Sequence, residues 1–373
     1  MPIPYACFLV LSLLPFTLKA EKYIAYQKFF FYALLISIVV ITGLRSQYVG
    51  TDSLPYFLSF SELNHMTFTE AYNTRFDAGY VALVRLVGYF SLSPYVFFFV
   101  VSVISFPIVF FFLRKYSSCV LLSILIFFCL DYVRFSVVIR QSLALCILFC
   151  GIPYLLKGKN IFFIFFVVLA TQFHESAFVG ISYLILNKIK FSKKTFIIFI
   201  LTAIVLAFFN NIIWFVIETL HIDAYSVYAT SRYNVAGSNA FIGFVIRVLP
   251  GLLVLALGQS VQKFPLSKEE NFFYMACLTY VGVSIIAMSS LIFERLGFYY
   301  SFSVPIVASS VFSSMKIEFQ TKKLYAIILL LFFVAYFSVI QVMRPNWSKI
   351  TPYSPFWAPV NAYGIEMIRY FKW

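Results

Sequence analysis

Residues 95–113, YVFFFVVSVISFPIVFFFL, run for nineteen positions without a charge and stop against Arg114-Lys115. A bilayer core is crossed by about 20 apolar residues in a helix, and lipid admits only structures that satisfy their own backbone hydrogen bonds. Comparable runs recur at 27–44, 195–217, 241–260, 271–290 and 324–343. Shorter or more broken ones lie at 1–18, 118–131, 141–156, 160–173, 177–187 and 297–315. None shows the period-2 alternation of a barrel strand. The sequence therefore predicts an all-α polytopic integral membrane protein: one membrane domain over residues 1–373, with about 12 transmembrane helices. Composition agrees, because 62% hydrophobic and 11% charged residues leave too little polar surface to cover a soluble domain of this length.

The charges orient the chain. Fifteen lysines fall in short connections, at 19, 22, 28, 115, 157, 159, 188, 190, 193, 194, 263, 268, 316, 322 and 323. Basic residues in short loops mark the cytoplasmic side. All three histidines and ten of the eleven arginines fall on the other side, joined by only two lysines, Lys349 and Lys372. This split accounts for most of the net charge of +14, so nucleic acid is not an expected partner. Both termini are then outside, and the first apolar run reads as a retained helix, because Leu18-Lys19-Ala20 makes no small-x-small cleavage site. The long outer segments are 45–94, 218–240 and 344–373. Within the first, residues 78–92 carry Arg85 mid-run and suit an interfacial or re-entrant helix better than a crossing. The runs 160–173 and 177–187 are short, and suit a hairpin with His174 at its tip or a broken pair.

Several chemistries lack a seat. The six cysteines fall almost entirely inside apolar runs and form no CxxC pair, so they read as small buried hydrophobes. There is no P-loop, GxGxxG, HExxH or DxD. Neither a metal nor a soluble cofactor is expected.

Arginine is what the outer side does carry. Its planar fork binds phosphate or carboxylate through two parallel hydrogen bonds, which a lysine cannot do. Several of these arginines sit at the edge of an apolar run, where an unpartnered charge is costly. As a set they suit a membrane-embedded anionic ligand; singly, each could equally be held by a local acid. Four segments stand out. The first is Arg45 with Val49-Gly50-Thr51-Asp52 and Tyr56. The second is Arg140-Gln141, and the third is Phe173-His174-Glu175-Ser176, a histidine beside an acid. The fourth is Glu294-Arg295 with Tyr299 one helical turn on and Tyr300 after it.

In this order, the four segments resemble the EpsG-like branch of the bacterial O-antigen and exopolysaccharide polymerases, the Wzy proteins. Asp77-Ala78-Gly79-Tyr80 adds to the match, with Asp where such sequences more often carry Glu. So do Ala144, Ala177, Leu296, Pro305 and Thr351-Pro352-Tyr353 near Trp357. The resemblance implies a GT-C-like multi-pass protein of the bacterial inner membrane with its active site facing the periplasm. It implies the joining of undecaprenyl-pyrophosphate-linked oligosaccharide repeat units, with release of undecaprenyl pyrophosphate and no metal. A chain-length regulator and a flippase would be partners beside the lipid bilayer.

On that reading, Arg45, Arg140, Gln141, Arg295 and Tyr299 are expected to hold the substrate pyrophosphates. His174 is expected to take the proton of the acceptor hydroxyl, with Glu175 or Asp52 orienting it. Tyr48, Tyr56, Tyr299, Tyr300, Trp347 and Trp357 could stack on sugars. The competing readings are a lipid-linked oligosaccharide flippase and an outer-face glycan ligase.

Overall fold

The computed structural model describes residues 2–17, 24–209, 243–261, 265–289, 292–315, 319–343 and 345–358. The expected outer loop 218–240 and the segment beyond residue 358 lie outside the described residues, as do Arg232, Arg344 and Arg369. Every named element is helical, and the one β contact among the described residues is an isolated bridge between Arg45 and Pro355.

The chain opens with α1 (Ile3–Thr17) and α2 (Ile24–Gly43). A short-helix layer follows: α3 (Ser53–His65), α4 (Phe68–Tyr72) and α5 (Ala78–Phe90). Next come α6 (Pro94–Tyr116), α7 (Val120–Leu130), α8 (Tyr132–Val137), α9 (Ile139–Leu156) and α10 (Asn160–Thr171). A 3-10 segment (Glu175–Ile181) leads into α11 (Ser182–Leu186) and α12 (Lys193–Phe208). A π-helical turn (Phe244–Val248) opens α13 (Leu249–Val261), followed by α14 (Lys268–Ile286), α15 (Ile292–Ser301) and α16 (Ser303–Ser314). The last are α17 (Phe319–Met343) and α18 (Pro345–Ser348).

Three helices, α2, α6 and α9, are long and apolar enough to cross a membrane. Helices α15 and α16, bent by 41° at their junction, pass the same test as a pair. The expected twelve crossings thus become, among the described residues, three full-length helices, one bent pair and several shorter apolar helices. Pro305 explains the bend: it has no N–H to return to Ser301, so the helix cannot run straight through.

The lysine-bearing connections 157–159, 188–194 and 265–268 meet at one end of the bundle. There Lys268 Nζ donates to the Leu156 carbonyl at 2.6 Å and Asn187 Nδ2 to that of Leu155 at 3.3 Å. Asn271 joins the same cluster, donating to Ile189 O and accepting from Phe191 N, each at 2.8 Å.

At the opposite end, α3 and α5 form a separate layer whose core is Tyr56, Phe60, Tyr80, Val84 and Phe97. Thirteen residues rise only about 20 Å, short of a bilayer's roughly 30 Å, so neither helix is long enough by itself to cross. Helix α5 buries Tyr80, Val81, Val84 and Val87 on one stripe and leaves Leu86, Tyr89 and Phe90 exposed on the other. Arg85 does not waste its charge within this apolar stretch. It donates to the carbonyls of Leu63 (2.9 Å) and Met66 (2.8 Å), closing the open end of α3.

Candidate active site

Arg140 sits in the first turn of α9, where the helix dipole opposes a cation. The opposition is offset from α5: Nη1 donates to Asp77 Oδ2 at 2.9 Å, and the guanidinium lies 5.2 Å from the Phe76 ring and 5.9 Å from the Tyr80 ring. A quarter of the Arg140 side chain is still exposed.

The start of α5 delivers that carboxylate. Its free N–H groups close on the end of α10, Gly79 N donating to Gln172 O at 2.7 Å and Tyr80 N to the same oxygen at 3.3 Å. A Cβ on Gly79 would stand 2.8 Å from Gln172 O and 2.9 Å from the Phe173 ring, so only glycine fits. Gly79→Ala should cost ~1–3 kcal/mol by overcrowding. It should also lower activity further by moving Asp77 away from Arg140. Thermal unfolding in detergent, read beside the initial rate, checks both effects.

Two residues beyond Gln172 the chain turns at His174, the expected hairpin tip. The returning 3-10 segment packs so closely that a methyl on Gly180 would meet Leu148 of α9 at 3.0 Å. The His174 side chain caps this segment, its Nδ1 accepting from the Ser176 backbone N–H at 3.2 Å. Ser176 Oγ is 2.6 Å from the same nitrogen and 2.9 Å from the Tyr299 hydroxyl. Burial holds the imidazole neutral, pushing its pKa down to about 4, and the charges of Arg140 and Arg295 act in the same direction.

Arg295 is exposed near the start of α15. Its carbonyl accepts from Gln141 Nε2 at 2.6 Å, which ties α15 to α9 beside Arg140. The preceding residue, Glu294, faces elsewhere: it pairs with Arg134 and, at 2.9 Å, with Arg247.

Asp52 enters from a fourth direction, at the head of α3, and does not cap its own helix. Burial pushes its carboxyl up, against the lowering pull of Arg295, the Thr51 hydroxyl and Arg140. Gly50 permits the approach. Its φ of 107° is a left-handed conformation, and its N–H donates to Lys349 O at 2.8 Å.

The structure thus gathers Asp52, Arg140, His174 and Arg295, from four separate segments, into one electrostatic neighbourhood. It gives other expected site residues different work. Arg45 is only 3% exposed; its Nη1 donates to Thr42 O at 2.8 Å, its Nη2 to Ser136 O at 2.6 Å, and it lies 4.9 Å from the Phe98 ring. Its fork joins α2 to α8 and has no open edge for a phosphate.

Gln141 and Tyr299, at 1% and 0% exposed, brace the site from within. Glu175 is exposed and does not orient His174, whose Nδ1 is bound by Ser176. Of the aromatics expected to stack on sugars, Tyr56, Tyr299 and Tyr300 are buried, while Trp357 is exposed; the side chain of Trp347 lies outside the described residues. The arginine surplus also shrinks, since Arg85, Arg134 and Arg247 have local partners.

Sequence reasoning passed over three contributors. Asp77 and Gly79 stood in a segment that carries the family resemblance, where the role of the carboxylate was left open. Ser176 had no signal beyond its place after His174. A separate cavity of 310 Å³ opens among Tyr116, Ser267, Glu269, Glu270 and Tyr274 at the lysine-bearing end. Its two carboxylates would repel a pyrophosphate.

No curated protein and no solved structure matches the chain. A family model does, over residues 28–354, which takes in all four site residues and nearly every helix described above. By that match the chain belongs to the EpsG family.

Proposed function

We propose that this protein is a polysaccharide polymerase that joins oligosaccharide repeat units carried on undecaprenyl pyrophosphate. The observation that carries the reading is that Arg140, a quarter exposed on Asp77, and Arg295, whose carbonyl is bound by the adjoining Gln141, present two guanidinium groups whose charges act on both His174 and Asp52. A glycosyl group leaving pyrophosphate develops negative charge on that leaving group, and preorganised cations stabilise it more than they stabilise the ground state. The donor arrives activated, so the remaining task is to take a proton from the acceptor hydroxyl. The site lies at the end of the bundle away from the lysine-bearing connections 157–159, 188–194 and 265–268, which suits action on the periplasmic face of the inner membrane. The exposed apolar face of α5 beside it suits lipid-borne substrates.

Deleting the gene and resolving the surface glycan on a gel tests this reading. A polymerase deletion leaves single repeat units and removes the ladder. Loss of every unit, with precursor trapped inside, would indicate a flippase. Normal-length chains left unattached to their final acceptor would indicate a ligase.

A further inference from the structure

His174 was expected to be the base, but its own hydrogen bonds argue against that. A backbone N–H can only donate, so the 3.2 Å contact from Ser176 N requires a lone pair on Nδ1. The neutral ring then carries its proton on Nε2. Nδ1 itself is closed to substrate. The hydroxyl beside it, Ser176 Oγ, leads at 2.9 Å to Tyr299, which is fully buried.

The acids near the site can be compared in the same way. Asp77 is held by Arg140, and Glu294 by Arg134 and Arg247. Glu175 is exposed in the first turn of its helix. Asp52 is neither capping its helix nor in an ion pair within 4 Å among the described residues, and the arginines that act on it are the two that act on His174.

Resting on the polymerase reading, we propose that Asp52 is the catalytic base and that His174 serves as a hydrogen-bond donor through Nε2. The acceptor O–H bond breaks and its proton passes to an Asp52 carboxylate oxygen. The oxygen's electron pair forms the new bond to the anomeric carbon. The bond from that carbon to the pyrophosphate oxygen breaks, and its electron pair leaves on the polyprenyl pyrophosphate. The Nε2 proton of His174 stays in place and steadies either the acceptor oxygen or the leaving group. The burial that makes Asp52 more basic favours the same division of labour.

The test uses the full-length protein in proteoliposomes with a synthetic polyprenyl-pyrophosphate-linked repeat unit, and reads initial rate against pH. Asp52→Asn should lower kcat by about 100-fold or more, the scale of a lost general base. Asp52→Glu should keep part of the rate and shift the acid limb of the pH profile, which a purely structural residue would not do. His174→Gln returns an N–H close to the Nε2 position. It should lose no more than about tenfold and keep the wild-type acid limb, whereas His174→Ala should lose more. The proposal is overturned if His174→Gln loses as much as Asp52→Asn or loses its acid limb, or if Asp52→Asn and Asp52→Glu both retain wild-type kinetics. Should the wild-type protein itself make no polymer, the polymerase reading fails first, and that failure is visible before any variant is compared.

Discussion

Arg140→Ala is expected to lower polymerisation by about 100-fold or more, the loss seen when one preorganised donor to a developing anion is removed, while the protein still folds. Folding should survive because the ion pair is partly open, with side-chain exposures of 25% for Arg140 and 21% for Asp77. The carboxylate left behind can hydrate, and an ion pair this exposed contributes little to stability. Chemistry should not survive: Arg75 also lies 5.5 Å from the Phe76 ring, but among the described residues it forms no ion pair with Asp77, and Arg140 is the guanidinium set against both the Phe76 and Tyr80 rings. Arg140→Lys should fall between wild type and alanine: it keeps the charge but loses the planar stack and the second donor. Initial rates, normalised to monodisperse protein from size-exclusion chromatography, check both variants. An Arg140→Ala enzyme with near-normal kcat would remove Arg140 from the reaction.

Arg45→Ala is expected to do the reverse, losing folded protein first and activity only in proportion. Two buried carbonyls, Thr42 O and Ser136 O, depend on its fork. Each stranded acceptor costs ~1–3 kcal/mol. The damage should spread, because the backbone around Arg45 pairs with a distant segment, Ser46 N donating to Ser354 O at 2.8 Å and Phe356 N to Leu44 O at 2.9 Å. Arg45→Lys should rescue little, since one ammonium cannot span both carbonyls and lie flat on Phe98 as well. Thermal shift in detergent measures the loss, and the rate per folded molecule measures what is left. If Arg45→Ala keeps the wild-type Tm but loses its rate, Arg45 belongs with the ligand after all.

From sequence, Arg45 and Arg140 were equivalent: each outside, each beside an apolar run, each in a shared motif. Their difference comes from contacts between residues far apart in the chain. Arg45 is sealed by backbone carbonyls from α2 and α8 and by the strand-like return of residues 354–356. Arg140 is held by an aspartate 63 positions earlier. No local pattern encodes either outcome. Tyr299 illustrates the same limit. Its spacing from Arg295 correctly put both on one helix, but the chain that buries it arrives from Ser176, 123 positions away.

What local pattern did carry was the helical class, the short helix at 78–92 and the break at His174. Each follows from the length of an apolar run, the position of one charge, or an acid and a histidine between two such runs. The gathering of Asp52, Arg140, His174 and Arg295 was legible as a list of residues. The direction of each hydrogen bond, which decides who takes the proton, was not.

The most direct measurement of the central claim is the product made by the purified protein in proteoliposomes, given only a polyprenyl-pyrophosphate-linked repeat unit. The account predicts a ladder of glycans on the lipid carrier, with one polyprenyl pyrophosphate released for each linkage formed, and loss of both products together in Arg140→Ala. A reconstituted protein that moves the lipid-linked unit across the bilayer, releases no pyrophosphate carrier and forms no linkage would contradict it.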